Sequence, residues 1–245
     1  MKTLVFYNVK GGVGKTTSCV NLASLCAADG CRTLLWDMDP QGAASFYLGQ
    51  DLIEVKKADS ILKDKKQFLS MVKQSELPNL NIAPAFFNLR NMDIIVDDEK
   101  KAAKKLGKVM GKIAKSHEFL FIDAPPSISA LSEMIFAIAD ILVIPVIPTT
   151  LSIHSLEQIR EHLDTLGRKP GILYFFNMVD SRKRMHREIM AKSMDEDPCC
   201  LSASIPYRSI IEQMGIHRKP LIEFAPDRKE TLAFMELWKE LKQRM

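Results

Sequence analysis

Apolar residues along this 245-residue chain gather into short, nearly continuous runs, and the segments between several of those runs carry helical spacing. The runs are Thr3 to Tyr7, Arg32 to Trp36, Leu80 to Ala83, Phe119 to Asp123, Ile141 to Ile147, Gly171 to Phe176 and Leu201 to Ile205. Runs of this length without polar alternation predict strands buried on both faces. Helical periods occupy Ser18 to Ala28, 97 to 116 and 152 to 166. In the second, Ala102, Ala103, Leu106, Val109, Met110 and Ile113 recur on one side, and Lys101, Lys104, Lys105, Lys108, Lys112 and Lys115 on the other. That pattern predicts a solvated amphipathic helix lying over a sheet. Near the carboxyl end, Leu232, Met235, Trp238 and Leu241 share one helical face, and core packing is expected of it. Residues 51 to 79 are polar and lysine-rich, with weak periodicity. Strands alternating with helices predict an α/β fold, in one large domain or two small ones.

Composition narrows the setting. The chain is 47% hydrophobic and 26% charged, as expected for a globular core. It holds no run of 18 apolar residues, so no membrane span is expected, and it enters its first strand without a signal-peptide pattern. The cysteines (Cys19, Cys26, Cys31, Cys199 and Cys200) show no C-x-x-C spacing, which fits a reducing cytosol. Cys19 and Cys26 are expected to be buried apolar groups. His154 and His162 have no His/Cys cluster at zinc spacing around them. A net charge of +4 decides no partner by itself.

Chemistry enters at Val9-Lys10-Gly11-Gly12-Val13-Gly14-Lys15-Thr16-Thr17, between the first strand and the first helix. Strand, glycine-rich loop and helix form the context in which such a stretch cradles phosphates. The glycines let backbone N–H groups point inward, and the positive end of the helix dipole adds to the field. Lys15 would reach β- and γ-phosphates, and Thr16 would offer its hydroxyl to Mg²⁺. Two further strands end in acids: Asp37-Met38-Asp39-Pro40-Gln41-Gly42, and Asp123-Ala124-Pro125-Pro126. In a parallel sheet, ligands lie beyond the carboxyl ends of the strands, so these acids face the same crevice as the loop. Beside a triphosphate, they make sense as holders of Mg²⁺ or of an attacking water.

The loop departs from G-x-x-x-x-G-K-[ST], with Val9 at the first glycine and an extra lysine, Lys10. In this it closely resembles the deviant Walker A box of the ParA/MinD family of ATPases, K-G-G-x-G-K-[ST]. The run Asp37 to Gly42 resembles that family's second signature, and Asp123 to Pro126 its Walker B end. The resemblance extends from residue 1 to about 240. It implies a doubly wound, mostly parallel sheet flanked by helices, in a single P-loop ATPase domain over 1–245. It also implies ATP and Mg²⁺ as cofactors, with slow ATP hydrolysis. Nucleotide contacts carry over to Lys10, Gly11, Gly12, Val13, Gly14, Lys15, Thr16 and Thr17, to Asn177 near the adenine, and to Pro206. The catalytic set is Lys10, Lys15 and Asp39: Lys10 crosses to the nucleotide of a second subunit, and Asp39 positions or activates water. Thr16 and Asp123 hold the metal.

Partners follow from the same resemblance. It implies an ATP-dependent homodimer, non-specific DNA binding, an adaptor protein that stimulates hydrolysis, and a cytoplasmic, nucleoid-associated location. Residues 181 to 192 carry five basic side chains against one glutamate. Arg182 resembles a basic position that family members use on DNA, and arginine suits phosphate contact. Arg184, Arg187 and Arg208 join it as candidates, although Ile210 stands where a further arginine is usual. No helix-turn-helix precedes the phosphate loop, so no operator specificity is expected. The alternative is a MinD-like membrane-associated positioning ATPase, which would end in a basic amphipathic helix. Here Glu236 and Glu240 on the last helical segment oppose anionic lipid, and no stable anchor is expected. A relative with a bridging iron–sulfur cluster would need cysteines near Asp123, and none is present. A small-molecule kinase would need an acceptor lid that the sequence does not suggest.

Overall fold

In a computed structural model of the chain, the apolar runs pair into one seven-stranded sheet. All residues are described except 55–60, 62–63, 87–88, 90–98 and 168; residues 65 and 99–103 are described by their backbone alone. The strands are β1 (Lys2–Phe6), β2 (Thr33–Asp37), β3 (Lys73–Gln74), β4 (Leu80–Ala83), β5 (Phe119–Asp123), β6 (Ile141–Val146) and β7 (Gly171–Phe176). Their order is β3-β4-β2-β5-β1-β6-β7, parallel throughout except for the short edge strand β3. Register aligns the carboxyl ends: Phe6 stands beside Asp123, and Asp123 beside Asp37.

The helices are α1 (Lys15–Ala28), α2 (Ala43–Tyr47), α3 (Lys65–Met71), α4 (Glu99–Ile113), α5 (Ala130–Ile138) and α6 (Thr150–Asp164). They continue with α7 (Arg184–Glu196), α8 (Ser209–Glu212), α9 (Met214–His217), α10 (Leu221–Phe224) and α11 (Lys229–Gln243). Alternate strand residues feed two cores, one on each face of the sheet. Leu4, Phe6, Leu35, Phe121, Val143 and Phe175 pack with α1 and α11. Val5, Tyr7, Leu34, Trp36, Ile122 and Ile144 pack with α4, α5 and α6. Coverage on both faces explains why the strands lack polar alternation. This is the doubly wound α/β arrangement expected of a P-loop NTPase.

Cys19 and Cys26 are buried in the α1 core, as expected. In α4, Leu106, Val109, Met110 and Ile113 are buried while Lys104, Lys105, Lys108 and Lys112 face outward, as does Lys115 just beyond the helix. Residues 97 and 98 of the expected helix, and the side chains of Lys101, Ala102 and Ala103, lie outside the described residues.

Two expectations are corrected. Leu201 to Ile205 is not a strand. Leu201 donates to Tyr174 O and Ile205 to Phe176 O, but between them the Ser202 and Ala203 N–H groups turn to the Glu240 carboxylate, each at 2.8 Å. A carboxylate on α11 thus takes the donors that a β-ladder would need. The buried face of α11 is also rotated from the one expected. Thr231, Phe234, Leu237, Trp238 and Leu241 are inside, while Leu232 is 49% exposed and Met235 half-buried. Trp238 Nε1 donates to Asp29 Oδ2 at 2.8 Å, fastening α11 to the end of α1. Losing an aromatic anchor of this kind costs about 3–5 kcal/mol.

Candidate functional site

The phosphate loop leaves β1 at Tyr7 and is shaped from within by backbone and amide bonds. Buried Asn8 donates to Pro145 O at 2.9 Å, and its Oδ1 accepts the Lys10 N–H at 3.0 Å. Gly12 and Gly14 take positive φ values of 72° and 86°, a region costly for other residues. Gly14 is also pressed close: a Cβ there would collide with the Asn177 amide nitrogen. That amide donates to Val13 O at 2.7 Å. Asn177, expected near a base, therefore has its amide nitrogen committed to the loop. Gly14 caps α1 with no side-chain acceptor, and no acidic residue occupies the first turn. The first N–H groups of this 14-residue helix are thus open to an anion.

Lys15 folds back across the loop, with Nζ donating to Lys10 O at 3.3 Å. It is only 6% exposed. Burial lowers its pKa, and the nearby Asp123 and Asp39 carboxylates oppose that shift. Thr16 and Thr17 follow on the same wall of a cavity of about 510 Å³. Gly11, Gly12, Gly14, Lys15, Asp39, Asn177, Pro206 and Arg208 also line it. Lys10 does not line this cavity; it is half-buried, and its ammonium has no ion-pair partner among the described residues.

Asp123 lies at the end of β5, completely buried. Neither of its carboxylate oxygens has a hydrogen-bond partner among the described residues. Burial raises its pKa well above the usual range and Asp37 adds to that, while the Thr16 hydroxyl and Lys15 pull the other way. The hydroxyl stands near enough to lower the pKa but makes no hydrogen bond of good geometry. An orphaned carboxylate facing a threonine hydroxyl and a lysine fits a hard divalent cation with phosphate oxygens beyond it. Asp37 is also buried, and its pKa is pushed up to about 6 by burial, against its hydrogen bonds to Ser45.

The remaining candidates lie apart. Arg182 forms a two-pronged pair with Asp180, at 2.9 and 3.0 Å. Arg184 meets Glu188 at 2.6 Å, and Arg187 donates to Ser181 O at 2.6 Å. All three are exposed at the start of α7. The fourth candidate is Arg208, next to Tyr207, whose N–H donates to Val179 O at 3.0 Å. It sits on the rim of the nucleotide cavity, 3.7 Å from Glu230 of α11. Sequence reasoning missed Tyr47, Met178, Tyr207, Ile211 and Glu212, which also line the cavity. They carry no spacing signal, because four loops and short helices bring them together. Among the described residues no metal-holding group of three His, Cys, Asp or Glu exists, and no helix is long and apolar enough to cross a membrane.

Comparison with known proteins agrees with this geometry. Residues 1–171 match the family model described as an AAA domain. The chromosome-partitioning ATPase Soj of Treponema pallidum is 34% identical over 196 residues, covering 77% of this chain and 76% of that one. A putative plasmid partition protein from Borrelia burgdorferi, solved with AMPPNP, superposes with a TM-score of 0.83 at 18% identity, covering 100% of this chain and 99% of that one. The septum site-determining protein MinD of Pyrococcus horikoshii, solved with Mg-ADP, gives 0.78 at 20% identity, covering 98% of this chain and 95% of that one.

Proposed function

The chain belongs to the AAA domain family as a P-loop ATPase of the ParA/MinD type, and on that premise we propose an ATP-driven dimerising switch that positions a cargo on DNA. One observation carries the reading: Lys15, Thr16 and Asp39 line one cavity at the amino end of α1, and the unpartnered, buried Asp123 lies close enough to all three to feel their charges and dipoles. Backbone N–H groups of the loop and Lys15 bind the triphosphate. Thr16 and Asp123 would hold Mg²⁺, which supplies charge neutralisation at the phosphate oxygens. Asp39 orients the water. The Asn177 carbonyl oxygen and Pro206 serve the base.

Lys10 gives the dimer its rationale. A lysine beside a triphosphate that does not line its own chain's cavity is suited to the nucleotide of a second copy. The exposed arginines of α7 then gain DNA affinity by duplication, since two weak electrostatic surfaces act on one duplex. An adaptor protein completes the cycle by stimulating hydrolysis, and the whole of 1–245 acts as one domain. Cargo positioning on the nucleoid is favoured over membrane attachment, because α11 directs its apolar face into the core formed with α1.

The test is light scattering and DNA retention with ATP, ADP or no nucleotide. ATP should give a dimer that holds DNA regardless of sequence, with slow turnover. Lys10→Ala should bind ATP and stay monomeric, whereas Asp39→Ala should persist as a dimer. A Lys10→Ala dimer of normal stability would overturn the trans role. Retention of the ATP form by anionic vesicles and not by DNA would establish the membrane alternative.

A further inference from the structure

Asp39 is held by a device outside the cavity. Its loop leaves β2 at Asp37 and joins α2 at Ala43, and the buried Asp37 carboxylate grips both ends. Oδ1 accepts the Asp39 N–H at 3.2 Å. Oδ2 accepts both the N–H and the hydroxyl of Ser45, at 2.8 and 2.7 Å. Ser45 is itself fully buried, and its Oγ accepts the Ala85 N–H at 2.9 Å, two residues past β4. Asp39 lines the nucleotide cavity; Asp37 and Ser45 do not.

A hydroxyl that donates to a carboxylate and accepts from an amide in a dry interior has one orientation available. Hydrogen bonds to a carboxylate are shorter and stronger than those between neutral groups, enough to hold a short loop in one geometry. Inside the loop, Gly42 N–H closes onto Asp39 O at 2.9 Å, and Gln41 N–H onto Asp39 Oδ1 at 2.9 Å. The direction of the Asp39 side chain therefore depends on where Asp37 and Ser45 hold the two ends. The phosphate-binding residues depend on neither.

We propose that Ser45 is a positioning residue for ATP hydrolysis, acting through Asp37 to fix the carboxylate of Asp39 in the cavity. The inference rests on the reading of Asp39 as the water-orienting acid. Removing the hydroxyl leaves Asp37 Oδ2 with one donor and the Ala85 N–H with none. Displacement of a reacting group by about 1 Å can cost on the order of 100-fold in rate. A merely structural Ser45 would instead weaken binding, turnover and stability together.

The experiment is single-turnover hydrolysis of radiolabelled ATP, with ATP affinity measured in parallel, on the full chain. Ser45→Ala should lower the rate by about 10- to 100-fold with affinity held within about twofold. Ser45→Thr, which keeps the hydroxyl, should recover most of the loss. In an Asp39→Ala background, Ser45→Ala should change the residual rate no further, since both act through one group. Should Ser45→Ala fold poorly, Ser45→Cys replaces it: the thiol is a weak donor and acceptor, and a loss of rate at unchanged affinity is again expected. A Ser45→Ala rate equal to that of the unaltered chain overturns the proposal, as does a parallel loss of rate and affinity, or an additive effect in the Asp39→Ala background. An unchanged rate for Asp39→Ala alone is a separate result that removes the reading of Asp39 beneath it.

Discussion

Two charged regions of this molecule handle their charges in opposite ways. At the phosphate loop, Asp123 and Lys15 are buried side chains that do not satisfy each other: the carboxylate has no donor and the ammonium reaches only a carbonyl. At the start of α7, the three arginines are exposed to water, yet each already has an acceptor of its own. Folding normally removes uncommitted charge from the interior, because burying it costs several kcal/mol. Where a chain retains it, the missing partner is a ligand. Exposed ion pairs contribute about 0–1 kcal/mol, so their arginines can be exchanged for phosphate at little loss. The first region is suited to a ligand by its deficits, and the proposed DNA contact of the second would draw on the weakness of its bonds.

Asp123→Asn tests the first half of that contrast and carries the largest expected effect. The Asp123 pKa is raised by burial, so its contribution to stability is favourable only below the unfolded value of about 3.9 and is lost as pH rises toward the folded one. At pH 7, above the unfolded value, the burial of this carboxyl therefore opposes folding. Asp123→Asn should raise the nucleotide-free melting temperature at pH 7, by about 1–3 kcal/mol in stability, with the advantage fading toward pH 4. It should also abolish stabilisation by Mg-ATP, which is about 2.7 kcal/mol at a hundredfold excess over Kd for the unaltered chain. Calorimetry with and without Mg-ATP checks both. An Asp123→Asn chain still stabilised by Mg-ATP would remove Asp123 from the site.

How much of this was legible beforehand follows from which interactions are local. The runs that become β1, β2, β4, β5, β6 and β7 are set by residues adjacent in sequence, and their composition predicts them; the two-residue edge strand β3 has no such run. The rotated face of α11 is not set this way, because Phe234 and Leu237 compete with Leu232 and Met235, and only the packing surface of α1 decides between them. Likewise the run at Leu201–Ile205 has strand composition, but Glu240, far along the chain, takes its donors. Asp37 and Ser45 are eight residues apart, yet nothing in their spacing announces that one carboxylate holds both ends of a loop.

Charge reversal at α7 tests the second half. Arg182→Glu with Arg187→Glu should abolish DNA retention and leave ATP binding unchanged, because neither side chain lines the nucleotide cavity. For the unaltered chain with ATP, log affinity should fall against log salt with a slope of roughly −4 to −5, corresponding to about five neutralised phosphates. Filter retention across a salt series measures this. Reversal of Lys104 and Lys108 on α4 is the control: if that removes binding and the α7 reversal does not, DNA lies on the other face.

The smallest effect is the sharpest probe of why the two regions differ. Arg184–Glu188 and Arg160–Asp197 are ion pairs of equal length, 2.6 Å, at opposite ends of α7. The side chains of the first are 84% and 60% exposed, those of the second 34% and 20%. Arg160 also lies over the Tyr174 ring, 5.6 Å from its centroid. If distance set the strength of a pair, the two would be equivalent. If water access sets it, Arg184→Ala should change stability by less than about 0.5 kcal/mol, and Arg160→Ala should cost about 1–2 kcal/mol. Burial pushes the Asp197 carboxyl up, but Arg160 outweighs it and leaves the pKa below its usual value. A depressed carboxyl stabilises above its unfolded pKa and loses that stability as pH falls through the folded value. The penalty of Arg160→Ala should therefore be full at pH 7 and shrink below about pH 4. Denaturant melts at the two pH values measure it, and equal penalties for both arginines would show that burial is not what separates an arginine free to meet phosphate from one committed to the fold.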